Sequence, residues 1–324
     1  MSTKSLVLSA LESSRGRWLS GQELASLLGV SRTAVWKAVK ALQEDGCGIS
    51  AVPNLGYRLD ETSDMLSPEG VIAALPEHLR SLPVFVFDSL DSTNTQARRM
   101  ATEGACHGTV ILAEEQSAGR GRSGNQFYSP RGSGLYMSAI LRPREQGMAD
   151  VQMLTVAAAV AACRAVESVC GISPQIKWVN DLYVGRRKVC GILTEAVGDF
   201  ETGQIETIVL GAGINCTTTE FPPELDGIAG SLGSSGVPRC RLAAVLISQL
   251  LSLCDDLGSS ELIAEYRSRS MMLGQPITFG VSGDEESGVV LDISRTGGLI
   301  VRDALGRTRT LSSGQVRIRG DWNV

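Results

Sequence analysis

The sequence predicts an α/β protein in three parts, and three observations predict it. Two short helical patterns and a pair of strand-like runs fill the first sixty residues. Helical and strand-like runs then alternate from 66 to about 270, and from Gly274 onward only short β runs recur between turns. The bounds expected from this reading are 1–62, 66–270 and 271–324. A chain of 324 residues is long enough for two or three hydrophobic cores.

In the first part, Gly21–Leu28 reads as a short helix. Gly29-Val30 breaks it, and Ser31 is a good N-cap for a second helix over 32–42. This is helix-turn-helix spacing, centred on 21–40. Val35, Ala38, Val39 and Leu42 fall at i, i+3, i+4 and i+7, which buries one face. Arg32, Trp36 and Lys40 fall on another face with Thr33 and Lys37 beside them, so cations and donors line up where a major groove would lie. Strands at 49–52 and 57–59 around Pro53-Asn54-Leu55-Gly56 complete a wing-like hairpin. An ordinary solvated amphipathic helix, or a helix-turn-helix used for protein contacts, has the same pattern. The local charge is modest, with seven Lys and Arg against five Asp and Glu over residues 1–60, so phosphate contacts must supply any affinity for DNA.

In the second part, Ser67-Pro68-Glu69 opens a helix and 84–87 is a strand. Ser92 caps a helix running to Gly104. Strands follow at 109–113, 135–140, 175–179, 189–194 and 206–210, with helices at 150–169, 241–253 and 261–269. The longest apolar stretch, 153–163, is too short for a bilayer and reads as a buried helix, so no membrane partner is expected. In the third part, runs at 276–279, 288–291, 298–301, 308–311 and 315–318 read as a small five-stranded barrel.

The net charge of −5 favours neither nucleic acid nor membrane as the main partner. Eight cysteines occur without a C-x-x-C motif, so reduced thiols in a cytoplasmic protein are expected rather than disulfides. His78 and His107 have no partners for a triad or a metal site and read as structural or surface residues.

The chemistry concentrates at Ala118-Gly119-Arg120-Gly121-Arg122-Ser123-Gly124. Glycines let the backbone approach an anion, and each Arg offers a planar fork of donors that stays charged at any working pH. Gly119, Gly121 and Gly124 match the spacing of a dinucleotide fingerprint, but loop residues follow where that fingerprint needs a helix, and no P-loop Lys follows. Around the loop, in chain order, stand Ser92-Thr93-Asn94, Gln116, Lys177-Trp178-Val179-Asn180-Asp181, Arg187-Lys188-Val189-Cys190-Gly191-Ile192-Leu193 and Gly211-Ala212-Gly213-Ile214-Asn215.

This ordered set resembles the biotin protein ligases, and the helix-turn-helix before it resembles the bifunctional biotin ligase and biotin-operon repressor type. The resemblance runs over nearly the whole chain. It implies a winged helix-turn-helix, a class II synthetase-like mixed α/β ligase core and an SH3-like C-terminal barrel. It also implies ATP-dependent formation of biotinyl-5′-AMP, transfer of biotin to a lysine of a biotin carboxyl carrier protein, and repression at operator DNA by a ligand-promoted homodimer.

Activating a carboxylate on ATP builds negative charge, so fixed cations are required. The resemblance puts Lys188 and Arg120-Gly121-Arg122 at the biotin carboxylate and its acyl phosphate, with Lys177, Asn180, Asp181 and Asn215 near the nucleotide. The catalytic set it implies is Lys188, Arg122, Lys177 and Asp181. The neutral biotin ring needs neutral donors and acceptors, for which Ser92, Thr93, Asn94 and Gln116 are suited, although Ser-Thr-Asn is equally ordinary capping chemistry. Mg²⁺ is expected through the ATP phosphates. Asp181 is open to two roles, as acceptor for Mg²⁺ waters or for a proton from the incoming amine. The chain departs from the family pattern at Val179, usually Pro, at Phe127, usually Trp, and after Arg122, where Ser123, Asn125 and Gln126 replace more basic residues. A biotin-sensing repressor without turnover is the alternative reading. A lipoate ligase would normally lack both the Arg loop and the N-terminal winged helix.

Overall fold

A computed structural model describes residues 2–142, 148–198, 205–233, 236–281, 284–312 and 314–319. The chain opens with α1 (Thr3–Ser13), α2 (Gly21–Leu28) and α3 (Arg32–Glu44), followed by the antiparallel hairpin β1 (Ile49–Val52) and β2 (Gly56–Leu59). Ser20 and Glu23 form a reciprocal capping box at the start of α2, and Gly29 ends that helix in the left-handed region at φ 64°. Ser31 accepts from the Ala34 amide and starts α3. Val7, Leu11, Leu24, Val35, Val39, Leu42, Ile49 and Leu59 are buried together as an apolar cluster of their own. The expected α3 face is therefore the buried one, and α1, which the periodicity did not delimit, closes the cluster.

Residues 60–66 lead to the central layer through an ion-pair network. Arg239 donates to Asp64 at 2.7 Å and to Glu114 at 2.7 Å, and Glu114 also accepts from the Leu66 amide at 3.3 Å. The central elements are α4 (Pro68–Ala74), β3 (Val84–Phe87), α5 (Thr93–Thr102), β4 (Val110–Ala113), β5 (Gly134–Leu141), α6 (Met148–Cys170), β6 (Gln175–Lys177), β7 (Asp181–Val184), β8 (Arg187–Gly198), β9 (Ile205–Asn215), α7 (Arg239–Cys254) and α8 (Ser260–Arg269). Their strands form one seven-stranded sheet in the order β3-β4-β5-β9-β8-β7-β6. The β3–β4 pair is parallel and the other pairs are antiparallel.

The two faces of the sheet separate by strict alternation. Leu112, Met137, Ala139, Leu210 and Ala212 join α6 and α7 in the main core. Ile111, Ile140 and Val209 instead pack under Ala97 and Ala101 of α5. The α5 side of the sheet is where the site forms.

Two expectations need correction. The run 175–179 is not one strand: β6 ends at Lys177, the chain reverses over 178–180, and β7 returns antiparallel with Lys177 opposite Asp181. The reason is that Trp178 and Val179 are buried together in the reversal rather than alternating across a sheet. The Trp178–Val179 peptide is cis. The apolar helix is also longer than its apolar stretch, since Val151–Cys170 has the length and composition to cross a membrane, yet 72 % of it is buried inside the protein. Burial, not shortness, marks it as a core helix.

The last part comprises β10 (Pro276–Val281), β11 (Asp284–Ile293), β12 (Leu299–Asp303), β13 (Thr308–Leu311) and β14 (Gln315–Ile318), in one antiparallel sheet of order β13-β12-β11-β10-β14. Its apolar face, including Ile277, Phe279, Val290, Val301 and Val316, merges with the main core. The joint is pinned by the Trp178 indole, which donates to Gly297 O at 2.8 Å, and by Arg267 of α8, whose Nε donates to Ile293 O at 2.9 Å.

Candidate active site

The Arg loop follows β4 and turns back on itself. Gly121 N donates to Asn125 O, Phe127 N donates to Gly119 O, and Arg120 bridges to Gln126. Residues 122–124 form one 3₁₀ turn in which Ser123 takes φ 55°, and no helix follows, as the loop chemistry required. Gly119 is indispensable here, because a Cβ would lie 2.4 Å from Phe127 O.

The loop roofs a cavity of about 350 Å³ lined by Arg120, Gly121, Arg122, Lys177, Asn180, Asp181 and Lys188 among others. Arg122 donates to Asn180 Oδ1 at 3.2 Å, and Asn180 is fixed by donating to Ile192 O at 2.8 Å. Lys188 pairs with Asp181 at 2.7 Å. Both stand on neighbouring strands, β8 and β7, so the antiparallel register brings them together. Lys177 is buried and lies 5.8 Å over the Tyr183 ring. Burial pushes its ammonium below the ordinary lysine range, and the Asp181 carboxylate opposes that shift.

A narrow recess of about 20 Å³ adjoins the cavity. It is lined by Ser92, Thr93, Asn94, Gln116 and Arg120, and by Tyr136, Gly191, Gly211 and Gly213. The two spaces share Arg120, Phe127, Gly191 and Leu193. Thr93 donates its amide and hydroxyl to Gln116 Oε1 at 2.8 and 3.1 Å, and Gln116 donates to Ser129 Oγ at 2.8 Å. Ser138 donates to Asn94 Oδ1 at 2.6 Å. The wall is thus a chain of neutral groups with fixed directions. Ser92 stands at the N-cap position of α5, but its side chain makes no capping hydrogen bond. The Phe127 ring lies against Gly213, where a Cβ would come within 2.6 Å of it.

Asn215 lines neither space. It sits at the end of β9 and donates to Gly230 O at 3.0 Å, tying down the 228–233 segment whose Ile228 carbonyl accepts from Lys188 N. His78 is exposed, and His107 Nδ1 accepts from the Arg142 amide; neither belongs to the site. Sequence reading missed Ser138, Glu195, whose carboxylate pairs with Arg120 at 3.2 Å, and Arg317, which enters the cavity wall from β14. Only Arg317 had a sequence signal, a cation on the last strand, and nothing in the pattern tied it to Lys177. Among the described residues no group of three or more His, Cys, Asp or Glu is arranged to hold a metal.

A second surface lies on the N-terminal part. Arg32, Thr33, Trp36, Lys37 and Lys40 are all exposed on α3. Arg32, Thr33, Trp36 and Lys40 line a groove of about 1040 Å³ whose other wall is the hairpin segment Ala51, Val52, Pro53 and Asn54. Lys40 Nζ stands 5.7 Å from the Trp36 ring centroid.

Residues 86–215 match the biotin/lipoate A/B protein ligase family, and residues 3–58 match an HTH domain. The bifunctional ligase/repressor BirA of Bacillus subtilis is 36 % identical over 73 % of this chain and 72 % of its own length. The bifunctional ligase/repressor BirA of Escherichia coli is 30 % identical over 94 % of each chain. Among solved structures, a biotin protein ligase from Aquifex aeolicus in complex with biotin and ATP shares the fold, with a TM-score of 0.63 at 23 % identity over 73 % of this chain and 98 % of that one. With a roofed, cation-lined cavity beside a neutral recess and a cationic groove on its winged helix, the chain belongs to the bifunctional biotin ligase/repressor family.

Proposed function

We propose that the chain joins biotin to ATP in the loop-roofed site, forming biotinyl-5′-AMP with release of pyrophosphate. It then transfers biotin to a lysine of a biotin carboxyl carrier protein, such as an acetyl-CoA carboxylase subunit. The observation that carries this reading is the convergence of Arg120, Arg122, Lys177 and Lys188 on one cavity next to a recess of neutral donors and acceptors. The neutral side chains Ser92, Thr93, Asn94 and Gln116 face the ring once the recess, which as it stands has room for about one water, opens by movement of the Phe127 ring, and the carboxylate tail then reaches Arg120, Gly121 and Lys188 at the boundary of the two spaces. Each preorganised cation facing the developing charge is worth about 3 kcal/mol of barrier. Lys177, Asn180 and Asp181 take the nucleotide side, and Asn215 contributes by holding the 228–233 segment.

Mg²⁺, if carried in on the ATP phosphates, would supply neutralisation of part of their charge. Among the described residues Asp181 is the one carboxylate of the cavity lining and is the residue that would face such an ion, and it pairs with Lys188 at 2.7 Å. Two of the departures from the family pattern fit: Val179 is buried and Phe127 keeps an aromatic ring over Gly191 and Gly213. The retained cations favour a working ligase over a sensor that only binds.

The same adenylate serves as corepressor. The parts 1–62, 66–270 and 271–324 act as DNA-binding, catalytic and C-terminal domains, and Arg32, Thr33, Trp36, Lys37 and Lys40 meet operator DNA when ligand brings two chains together. Eight free thiols and a buried apolar helix fit a cytoplasmic setting. Incubation with ATP, Mg²⁺, biotin and a carrier domain, followed by intact mass, tests the ligase. The expected result is one biotinyl adduct on the carrier; no adduct with any carrier domain, and no pyrophosphate released, overturns the ligase reading.

A further inference from the structure

Glu195 stands where three elements of the site meet. Gly191, Leu193 and Glu195 occupy alternate positions of β8 on the α5 side, whereas Thr194 faces the opposite layer and bonds Thr155 of α6. From α5 the Asn94 amide donates to Glu195 Oε2 at 2.8 Å, and Arg98, one turn further along, lies 3.8 Å from Oε1. From the Arg loop Arg120 Nη2 lies 3.2 Å from the same Oε1. The carboxylate is mostly covered, with 18 % of its side chain exposed.

Each contact constrains something the chemistry needs. Asn94 accepts from Ser138 at Oδ1 and donates to Glu195 at Nδ2, so its amide has a single orientation in the recess. Gly211 makes room for it, since a Cβ there would lie 2.1 Å from Asn94 Oδ1. Arg120 is the cation shared by the recess and the cavity, and its guanidinium has five donors. Glu195 pairs with it by charge from the β8 side, without taking up its donors in an aligned hydrogen bond, and leaves the fork for an anion entering the cavity.

We propose that Glu195 is a positioning residue that docks the Arg loop on the recess by gripping Arg120 while fixing the Asn94 amide. Ligand then meets a cation already aligned with the neutral wall, and the ordering entropy of the loop is reduced before binding. This rests on the ligase reading above. The sequence gives no hint of it, because 101 residues separate Glu195 from Asn94.

The test is a double-mutant cycle in the full-length chain. Glu195→Gln keeps an acceptor for Asn94 and removes the charge that holds Arg120. It is expected to raise the KM for biotin about fivefold, in line with a partly shielded ion pair, with kcat changed less than twofold. Trypsin should also cut the ligand-free loop at Arg120 and Arg122 faster than in the parent protein. In an Arg120→Ala background the same substitution should leave the KM unchanged. A KM effect of equal size in that background, or no effect in either, overturns the proposal. Should Glu195→Gln fail to fold by circular dichroism, Glu195→Asp, which keeps the charge one methylene short, is expected to raise the KM in the same direction, and an unaltered KM there overturns the proposal as well. Absence of adenylate from the parent protein would be the separate failure of the ligase reading.

Discussion

Replacing Lys188 by alanine removes an ammonium with 30 % of its side chain exposed, which among the described residues pairs by charge with Asp181 alone. Little packing is lost, so the melting temperature should move by no more than a few degrees, while adenylate formation falls by about two orders of magnitude or more. Pyrophosphate release at near the parent rate would show that Lys188 does not face the developing charge. Arg122 plays a different part, because its partner is the neutral Asn180 and its charge is left for the ligand. Arg122→Gly should let activated biotin escape, read as increased labelling of bystander lysines in a mixture with serum albumin. The motif residues that meet in the cavity were legible from their types and order. Their partners were not, because Glu195 and Arg317 reach the site through pairings across the sheet and from another part of the chain, which no local spacing encodes.

The helices behind the sheet carry a second charge pattern with a pH consequence. Arg269 of α8 donates to Glu167 of α6 at 2.6 and 2.8 Å and to Glu265 at 2.9 Å, and Arg164 also holds Glu265. The hydrogen bond from Arg269 holds the Glu167 carboxyl below its ordinary value of 4.5. Burial would raise Glu265, but the hydrogen bonds from Arg164 and Arg269 outweigh it and hold it low as well. A depressed carboxylate stabilises the fold above its unfolded value and loses that contribution as pH falls through the folded one. Arg269→Gln should therefore cost about 1 to 3 kcal/mol at neutral pH, and its deficit relative to the parent should shrink below pH 4.5. Urea melts of both proteins at a series of pH values check this; a deficit that stays constant into acid would assign the cost to packing. At this scale most elements were legible, since capping residues and apolar periodicity are local. The strand β7 was not, because the reversal at 178–180 begins inside Gln175-Ile176-Lys177-Trp178-Val179, which alternates like a single strand, and neither was the sheet order, in which β5 pairs with β9 across the intervening α6 and β6 to β8.

Every side chain assigned to biotin or ATP lies outside the apolar cluster of α1 to α3, and that cluster is complete without the main core. Removal of residues 1–62 should abolish operator binding and leave biotin transfer within a few fold of the parent, measured on the same carrier domain. The remaining cost should fall on α4, whose Glu69 accepts from Ser5 in the intact chain. For the intact protein, gel shifts on its own upstream promoter should strengthen when biotin and ATP are added together and weaken steeply with salt, as expected if two winged helices neutralise phosphates at once. Binding indifferent to ligand would separate the two activities. The aromatic of the Arg loop is Phe127, not a tryptophan, and this has an optical consequence. Trp18, Trp36, Trp178 and Trp322 are the tryptophans of the chain, so the roof of the site is dark in fluorescence excited at the indole band. With Trp18 and Trp322 replaced by phenylalanine, emission from Trp178, buried in the cavity wall and hydrogen-bonded to Gly297 O, should report how the C-terminal sheet is seated when nucleotide enters, and emission from the exposed Trp36 should report DNA, so a single cuvette reads the two ends of the molecule without a label.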